Sequence, residues 1–486
     1  RWYKALQFGT RMLMMVRSVN VSYTNRYNMT LPGFMPRVGD YFGQHSGGGL
    51  QPGLDFAFGF TGDSYIQKAM SNGWLNTADS IVTPATTNLN EDFQIRATLE
   101  PIPNLKIDLN ASRNTNKTRS IQYMFSGMPT TETGSFTMTT ISIRSAFEKG
   151  GSVNNGYRSK TFQRFVSSLD SYQQRVEAQY AGAVYPAGSA LAGKPFDPAN
   201  GTVGKYSADV MIPAFLNASG GTSLDIFPSL SKLLPNWTVN YNGLAKLKRM
   251  RRLFRAFTIT HAYKSVYSVG SYNTFTSFQE YMGGLGFISD VSTGMPTPSS
   301  KFDISTVSIN ESFSPLIGVD MTFNNNISTK VEYRKTRVLN LSMTSQQLTE
   351  TRSNDFVIGA GYKISGAKLF APKKTVKSRR RGNRSSNQQN EQTSSSRGFS
   401  NDLNLRFDIS FRNQSAICRD ILTVLSQATS GNKAVQVSFS ADYALSRYLT
   451  LTAYYDRQMN RPLLTSSSYP TTTQDFGVSL KFILNR

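Results

Sequence analysis

From Asp475 to the last residue, Phe476, Val478, Leu480, Phe482 and Leu484 fall on one side of an extended chain, with Gly477, Ser479, Lys481 and Asn485 on the other. Strict alternation of this kind predicts a β-strand with two unlike faces. The period recurs upstream. Phe93, Ile95, Ala97 and Leu99 alternate with polar residues, and beyond Pro101-Ile102-Pro103-Asn104 the chain returns through Leu105, Ile107, Leu109 and Ala111, which predicts a hairpin with a short turn. Trp237, Val239 and Tyr241 lead into a basic turn, Lys246 to Arg252, and a return through Phe257, Ile259 and Tyr263. From Ile317 the pattern is regular: Ile317 to Phe323, the turn Asn324-Asn325-Asn326, then Ile327 to Leu341, Phe356 to Ile364 and Leu403 to Phe411. The last three predicted strands cover Val435 to Tyr443, Leu449 to Tyr455 and Phe476 to Leu484, and the stretches from Val19 to Tyr23 and from Gly134 to Phe147 are further candidates.

Two stretches interrupt the alternation. Residues 25–90 are dense in turn formers, including Leu31-Pro32-Gly33-Phe34-Met35-Pro36 and Gly47-Gly48-Gly49, which predicts a long structured loop with a short helix across Ser64 to Gly73. Residues 146–236 form a second loop region. Within it Phe162, Phe165, Val166, Leu169, Tyr172, Val176 and Tyr180 have helical spacing, and Asp209 to Asn217 predicts a second short helix. Such helices would either gate or plug a lumen or cap an extracellular loop.

A soluble sandwich would turn the apolar faces into a core, whereas an outer-membrane barrel would turn them out into lipid. Sandwich strands run about 5 to 6 residues, with turns every 8 to 12, and the strands predicted here are often ten or longer. Their connections alternate between tight turns and long polar loops, as in outer-membrane barrels with short turns on one rim. With the C-terminus in the periplasm, counting backward puts Ala444 to Arg447, Asn324 to Asn326, Lys246 to Arg252 and Pro101 to Asn104 together on the periplasmic rim. The predicted fold class is all-β, a transmembrane antiparallel β-barrel in which residues 1–486 form part of one barrel, with short helices in long extracellular or lumenal loops.

Composition agrees with that reading. The 486-residue chain is 39 % hydrophobic and its mean hydropathy is −0.34. It holds no unbroken apolar run near the roughly 18 to 20 residues of a membrane-spanning helix, and barrel strands, half polar, need none. A single cysteine, Cys418, and two histidines, His45 and His261, exclude an internal disulfide and a Cys/His zinc cluster. The chain starts Arg1-Trp2-Tyr3-Lys4, without an initiating Met or a signal peptide, so we expect it to be the C-terminal part of something longer. No cofactor is expected.

The net charge of +23 calls for an anionic partner or surface. Its densest run carries Lys373, Lys374, Lys377, Arg379, Arg380, Arg381 and Arg384, followed by a stretch of Ser, Asn, Gln, Thr and Arg. Residues 365–400 therefore read as a disordered, basic periplasmic loop. A nucleic-acid binder would add a recognition helix or aromatic platforms, and this run has neither. The enzyme signals are isolated. Gly359-Ala360-Gly361 lacks the third glycine of a dinucleotide fingerprint, Ser229 to Lys232 fits Ser-x-x-Lys without supporting motifs, and His261 sits on the apolar face of its strand. An ordinary outer-membrane porin or receptor-type barrel is the nearer alternative.

Several long words resemble a known family. They include Met15-Val16-Arg17-Ser18-Val19-Asn20-Val21-Ser22-Tyr23 with Leu31-Pro32-Gly33-Phe34-Met35-Pro36, and Asn72-Gly73-Trp74-Leu75. Others are Asp209-Val210-Met211-Ile212-Pro213-Ala214-Phe215 with Leu234-Pro235-Asn236-Trp237, then Thr258 to Ser265, Phe313 to Asp320, Tyr454 to Arg457 and Asn460-Arg461-Pro462. Nearly the whole chain resembles SprA/Sov, the giant outer-membrane translocon of the Bacteroidota type IX secretion system, which also serves gliding motility. The resemblance implies a very large barrel whose remaining strands lie upstream, a wide passive pore for folded cargo proteins, a lateral opening, and a smaller barrel shuttle protein and a plug protein as partners. It implies no catalytic residues.

Overall fold

The computed structural model describes residues 15–36, 45–46, 50–59, 61–76, 83–123, 130–148, 151–221, 224–282, 284–367, 401–446, 448–464 and 468–483. Its main element is a fourteen-stranded antiparallel sheet. In chain order the first strands are β1 (Val16–Thr30), β2 (Ala85–Ile102), β3 (Leu105–Ile121), β4 (Thr131–Thr139), β5 (Asn236–Tyr241) and β6 (Phe254–Thr274). A small three-stranded sheet follows, β7 (Phe278–Met282), β8 (Leu285–Ser289) and β9 (Pro296–Ser300). The main sheet then resumes with β10 (Phe302–Ile304), β11 (Thr306–Phe323), β12 (Ile327–Ser342), β13 (Gln347–Ile364), β14 (Leu403–Asp420), β15 (Ser426–Ala444), β16 (Leu449–Pro462) and β17 (Thr471–Phe482). Neighbours are mostly consecutive, and among the described residues β1 and β17 end the sheet with one hydrogen-bonded neighbour each.

One position in this wall is shared by two half-strands. The upper part of β3 pairs with β4, from Ser120↔Thr131 to Arg113↔Met138, and its lower part pairs with β5, from Asn110↔Asn236 to Leu105↔Tyr241. β6 closes both from the other side, pairing Val266 with Thr139 and Tyr263 with Trp237. The chain therefore leaves the wall in mid-strand after Thr139 and re-enters at Asn236. The gap is bridged by hydrogen bonds: Thr140 N–H donates to Ser265 O at 3.1 Å, and Ser265 N–H to Asn236 Oδ1 at 2.8 Å. In the next strand, β11, register slips between Phe313 and Ile317, a bulge at the same height.

The inserted segment contains α1 and α2, here Lys160–Gln179 and Ala208–Ser219. α1 starts at Ser159, whose side chain accepts from Phe162 N–H, an N-cap, and it buries Phe162, Phe165, Leu169 and Val176, one stripe at helical spacing. α2 buries Val210, Met211, Ile212, Ala214, Phe215 and Leu216, apolar nearly all round, and ends at Gly220 in the left-handed region (φ 85°). Both helices join the largest core cluster with Phe136, Met138, Tyr267, Val269, Val307, Ile309, Leu339, Leu341 and Leu348 of the sheet. By register those residues share one face with Ile259, Val319, Val331, Ile358 and Ile409, the apolar alternation of the sequence. The helices thus pack on the apolar side of the wall. A lumen plug on the polar face is not what they form.

Several boundaries differ from the sequence reading. The insertion begins at residue 140 rather than 146, because the predicted strand from Gly134 to Phe147 is a strand only over Thr131–Thr139 and gives way to a helical turn, Ile143–Ala146. The first long loop starts after Thr30 and ends before Ala85, since Tyr27 and Met29 still pair with Leu89 and Thr87. Short turns are not confined to one rim: residues 343–346 and 421–425 are short connections at the far end, where Met343 and Ile421 pack into the insertion's core. The turns at 103–104, 324–326 and 445–448 do share the other end. There Asn242 N–H donates to Asn104 O and Asn324 N–H to Leu253 O, both at 3.1 Å.

Candidate functional site

The lower half of the sheet has two chemically opposed faces. On one, β13 carries Phe356, Ile358, Ala360, Tyr362 and Ile364, opposite Phe411, Ile409, Phe407, Leu405 and Leu403 of β14. The latter face Val435, Val437, Phe439, Ala441 and Tyr443 of β15. Phe476, Val478, Leu480 and Phe482 of β17 continue the band opposite Tyr455, Ala453, Leu451 and Leu449. Eight steps from Phe356 to Ile364, at about 3.3 Å each, make a strip roughly 26 Å long along the strand, or about 20 Å tall once strands tilt by about 35–45°, close to the roughly 25 Å apolar belt of an outer-membrane barrel. Protein does not cover it. Phe407 is 41 % exposed, Phe439 40 % and Leu480 62 %, which for a contiguous surface of aromatic rings in water would be an aggregation site.

The opposite face of the sheet is polar and ion-paired. Lys106 Nζ lies 2.9 Å from Asp108, Lys330 Nζ 2.6 Å from Glu332, Arg406 Nε 2.6 Å from Asp408 and Arg412 Nε 3.1 Å from Asp355. Thr98 and Thr452 hydroxyls donate to Asp108 and Asp442 at 2.8 and 2.6 Å. Exposed pairs of this kind add little stability, but they make a wall that water wets.

Above the band the apolar face changes character under the insertion. Glu350, 1 % exposed, accepts from Arg337 Nε at 2.7 Å, Arg352 Nε at 2.6 Å and Arg419 Nη2 at 2.9 Å, so one carboxylate binds guanidiniums from β12, β13 and β14. The same arginines hold the first leg of the insertion by its carbonyls: Arg337 donates to Ser145 O at 2.7 Å, Arg352 to Glu148 O, and Arg419 to Tyr157 O. A second buried carboxylate, Glu311, accepts from Tyr263 Oη at 2.8 Å and Ser142 Oγ at 3.0 Å. Between band and insertion lies an aromatic layer. Trp237 and Tyr263 stand 4.6 Å apart, Tyr263 and Phe313 4.9 Å, and Phe147 faces Phe313 at 5.2 Å. His261 Nδ1 is 2.7 Å from Leu316 O, a hydrogen-bonded residue of this layer on the apolar face.

Within the insertion Asp209 stands in the first turn of α2, beside a cavity of about 400 Å³ also lined by Tyr172, Arg175 and Lys301. Burial pushes its carboxyl up to about 6. Glu148 is half-buried, which would raise it, yet hydrogen bonds from Thr161, Ser159 and the Lys160 and Thr161 amides hold it below the ordinary carboxylate range.

Of the residues singled out from the sequence, Phe476, Val478, Leu480 and Phe482 lie together on the open band, and Leu484 lies outside the described residues, as do Lys373, Lys374, Lys377, Arg379, Arg380, Arg381, Arg384 and residues 368–400. Leu31 to Pro36 meets the word Asn72 to Leu75. Phe34 bridges Leu75, Met35 N–H donates to Trp74 O at 2.8 Å, Asn76 N–H to Gly33 O at 2.7 Å, and Tyr123 Oη to Pro32 O at 2.6 Å. Gly33 adopts φ 70°, which this turn requires and which favours glycine. The helix that backs this knot is Asp63–Ser71, burying Tyr65, Ile66 and Ala69. The Arg337–Glu350–Arg352–Arg419 cluster was not singled out, and its only sequence signal is a run of charges at strand positions where apolar residues are due.

No protein-family model and no curated protein matches the chain. Matches among solved structures include the β domain of the Bordetella autotransporter BrkA, 5 % identical, covering 82 % of this chain and 92 % of that one at a TM-score of 0.23. They also include OmpT, an outer-membrane protein of Vibrio cholerae, 10 % identical over 81 % and 89 % at 0.20, and an anion-selective porin from Comamonas acidovorans, 9 % identical over 82 % and 92 % at 0.18. The superpositions are too loose to align strand with strand, so the class rests on the sheet's own register and faces. By those, the chain is an antiparallel all-β protein of the outer-membrane β-barrel class, with an open apolar band on one face of its sheet and ion pairs on the other.

Proposed function

We propose that the chain is part of the wall of a protein-conducting outer-membrane translocon of the SprA/Sov kind, a passive passage for folded cargo. One observation carries this reading. Among the described residues a fourteen-stranded wall ends in two strands, β1 and β17, that each have a single neighbour, while the inserted helices stand on the apolar side and leave the polar face open. Further strands joined to both edges would close a barrel wider than this sheet could form by itself. The hydrated inner face suits passage of protein surfaces without chemistry. Cargo, a smaller barrel shuttle and a plug protein are the partners that follow from the sequence resemblance, and a Bacteroidota outer membrane the location.

The porin reading predicts a different phenotype. Depletion of the translocon should leave folded cargo in the periplasm with uptake of small solutes unchanged. Normal export with impaired solute uptake would favour the porin.

A further inference from the structure

Just beyond the aromatic edge of the band, register carries one row of polar side chains across five strands. Lys335 lies opposite Asn354, Asn354 opposite Asn413, Asn413 opposite Lys433 and Lys433 opposite Arg461. The next row towards the band is Tyr333, Phe356, Phe411, Val435 and Met459. Barrel strands tilt by about 35–45°, so the membrane rim cuts obliquely through such rows. On β16 the rim falls at Arg457, opposite Gln474, with Tyr455 and Phe476 the first apolar pair beneath.

Cations along this rim are treated in two ways. Under the insertion, Arg337, Arg352 and Arg419 are bound by Glu350 and by carbonyls, and Lys335 sits 4.8 Å over the Phe147 ring. Beyond the insertion, Lys433, Arg457 and Arg461 form no ion pair among the described residues. Lys433 and Arg461 are exposed and directly opposite across the ladder, an arrangement in which like charges repel. Among the described residues Arg457 Nε is buried with no hydrogen-bond partner. Inward cations of neighbouring strands, by contrast, have their carboxylates, as in Arg412 with Asp355.

We propose that Lys433, Arg457 and Arg461 form a binding site for phosphate groups of lipid headgroups, on the outer rim of the wall where the insertion stops. The inference rests on the membrane reading of the band. Phosphate oxygens accept from several guanidinium and ammonium donors at once, which relieves the facing charges of Lys433 and Arg461. A lipid rather than free phosphate is favoured because Val435, Val437, Phe439 and Tyr455 continue directly beneath as a surface for acyl chains.

The test compares purified full-length protein in detergent with a Lys433→Gln/Arg457→Gln/Arg461→Gln variant and an inward control, Lys330→Gln/Arg406→Gln/Arg412→Gln. Each is titrated with phosphorylated lipid A, its dephosphorylated form and inorganic phosphate, and occupancy is read by native mass spectrometry. The outward variant should bind phosphorylated lipid A about tenfold or more weakly than wild type, the inward control should match wild type, and inorganic phosphate should not displace the lipid. Equal affinity in all three proteins, equal weakening of both variants, or displacement by matched inorganic phosphate would each overturn the site. The membrane reading is scored separately by heat-resistant migration of the folded form: normal migration with unchanged lipid affinity removes the phosphate site and leaves the barrel intact.

Discussion

The outward face of β11 to β14 is one continuous alternation with two different neighbours. Towards the short-turn rim, Ile317, Phe356, Phe407 and Phe411 are left uncovered by protein. Towards the far rim, Val307, Ile309, Leu341 and Leu348 are at most 2 % exposed beneath α1 and α2. The residue types are alike, so hydrophobicity does not distinguish the zones. The difference lies in what stands between the apolar rows. The covered zone carries Glu311, Arg337, Glu350, Arg352 and Arg419, each hydrogen-bonded to its neighbours or to the insertion, whereas the band between Phe356 and Ile364 has no ionised outward side chain. Protein can satisfy a buried charge with a carboxylate or a carbonyl; hydrocarbon offers neither.

The largest effect that could break this comparison comes from the charge cluster. Glu350→Gln removes the carboxylate that binds three buried guanidiniums, which costs about 3–5 kcal/mol for a broken buried pair. The insertion should loosen from the wall, giving rapid limited proteolysis within residues 140–235 while the band strands stay protected. Unchanged proteolysis would mean that the cluster does not hold the insertion.

The band gives the next largest effect. Leu480→Arg places a charge in the lipid face at about 2–4 kcal/mol near the bilayer midplane, whereas Ser479→Arg, its neighbour on the other face, remains hydrated. Heat-resistant folded protein should fall in the first variant and persist in the second. The reverse ranking would invert the two faces.

A smaller effect sharpens the covered zone. The folded Asp209 carboxyl sits at about 6, above its ordinary value, so the folded state holds a proton that the unfolded chain has lost between roughly pH 4 and pH 6. Stability of the insertion should decline as pH rises through that window and level off above it. Asp209→Asn should flatten the profile and stabilise the insertion by about 1–3 kcal/mol at pH 7, measured by proteolysis midpoints in urea at pH 4.5 and pH 7. A pH dependence that persists in Asp209→Asn would assign it to another group.

The fold was legible where one face of a strand is apolar and the other polar. That condition holds in the band, and the strands there are the predicted ones. It fails above the band. Gly431 and Lys433 of β15 and Arg457 and Arg461 of β16 interrupt the alternation on that face, so strands predicted as Val435 to Tyr443 and Leu449 to Tyr455 extend to Ser426–Ala444 and Leu449–Pro462. The small sheet of β7 to β9 carries Gly286, Pro296 and Pro298 and shows no clean period. α1 and α2 were visible from helical spacing and from an apolar run, but a helix period is silent on which side of a sheet the helix covers. Nor does any sequence rule announce that one strand position is filled by two half-strands separated by residues 140–235, since that pairing is set by register alone.

The central claim is that the alternating face of Phe476, Val478, Leu480 and Phe482 meets lipid. It is tested most directly by single spin labels at Val478, Ser479, Leu480 and Lys481, one at a time in a Cys418→Ala background, in the assembled protein in bilayers. Labels at 478 and 480 should be relaxed by oxygen dissolved in the lipid, and labels at 479 and 481 by a water-soluble nickel chelate. Equal accessibility to the chelate at all four positions, or the opposite alternation, would contradict the account.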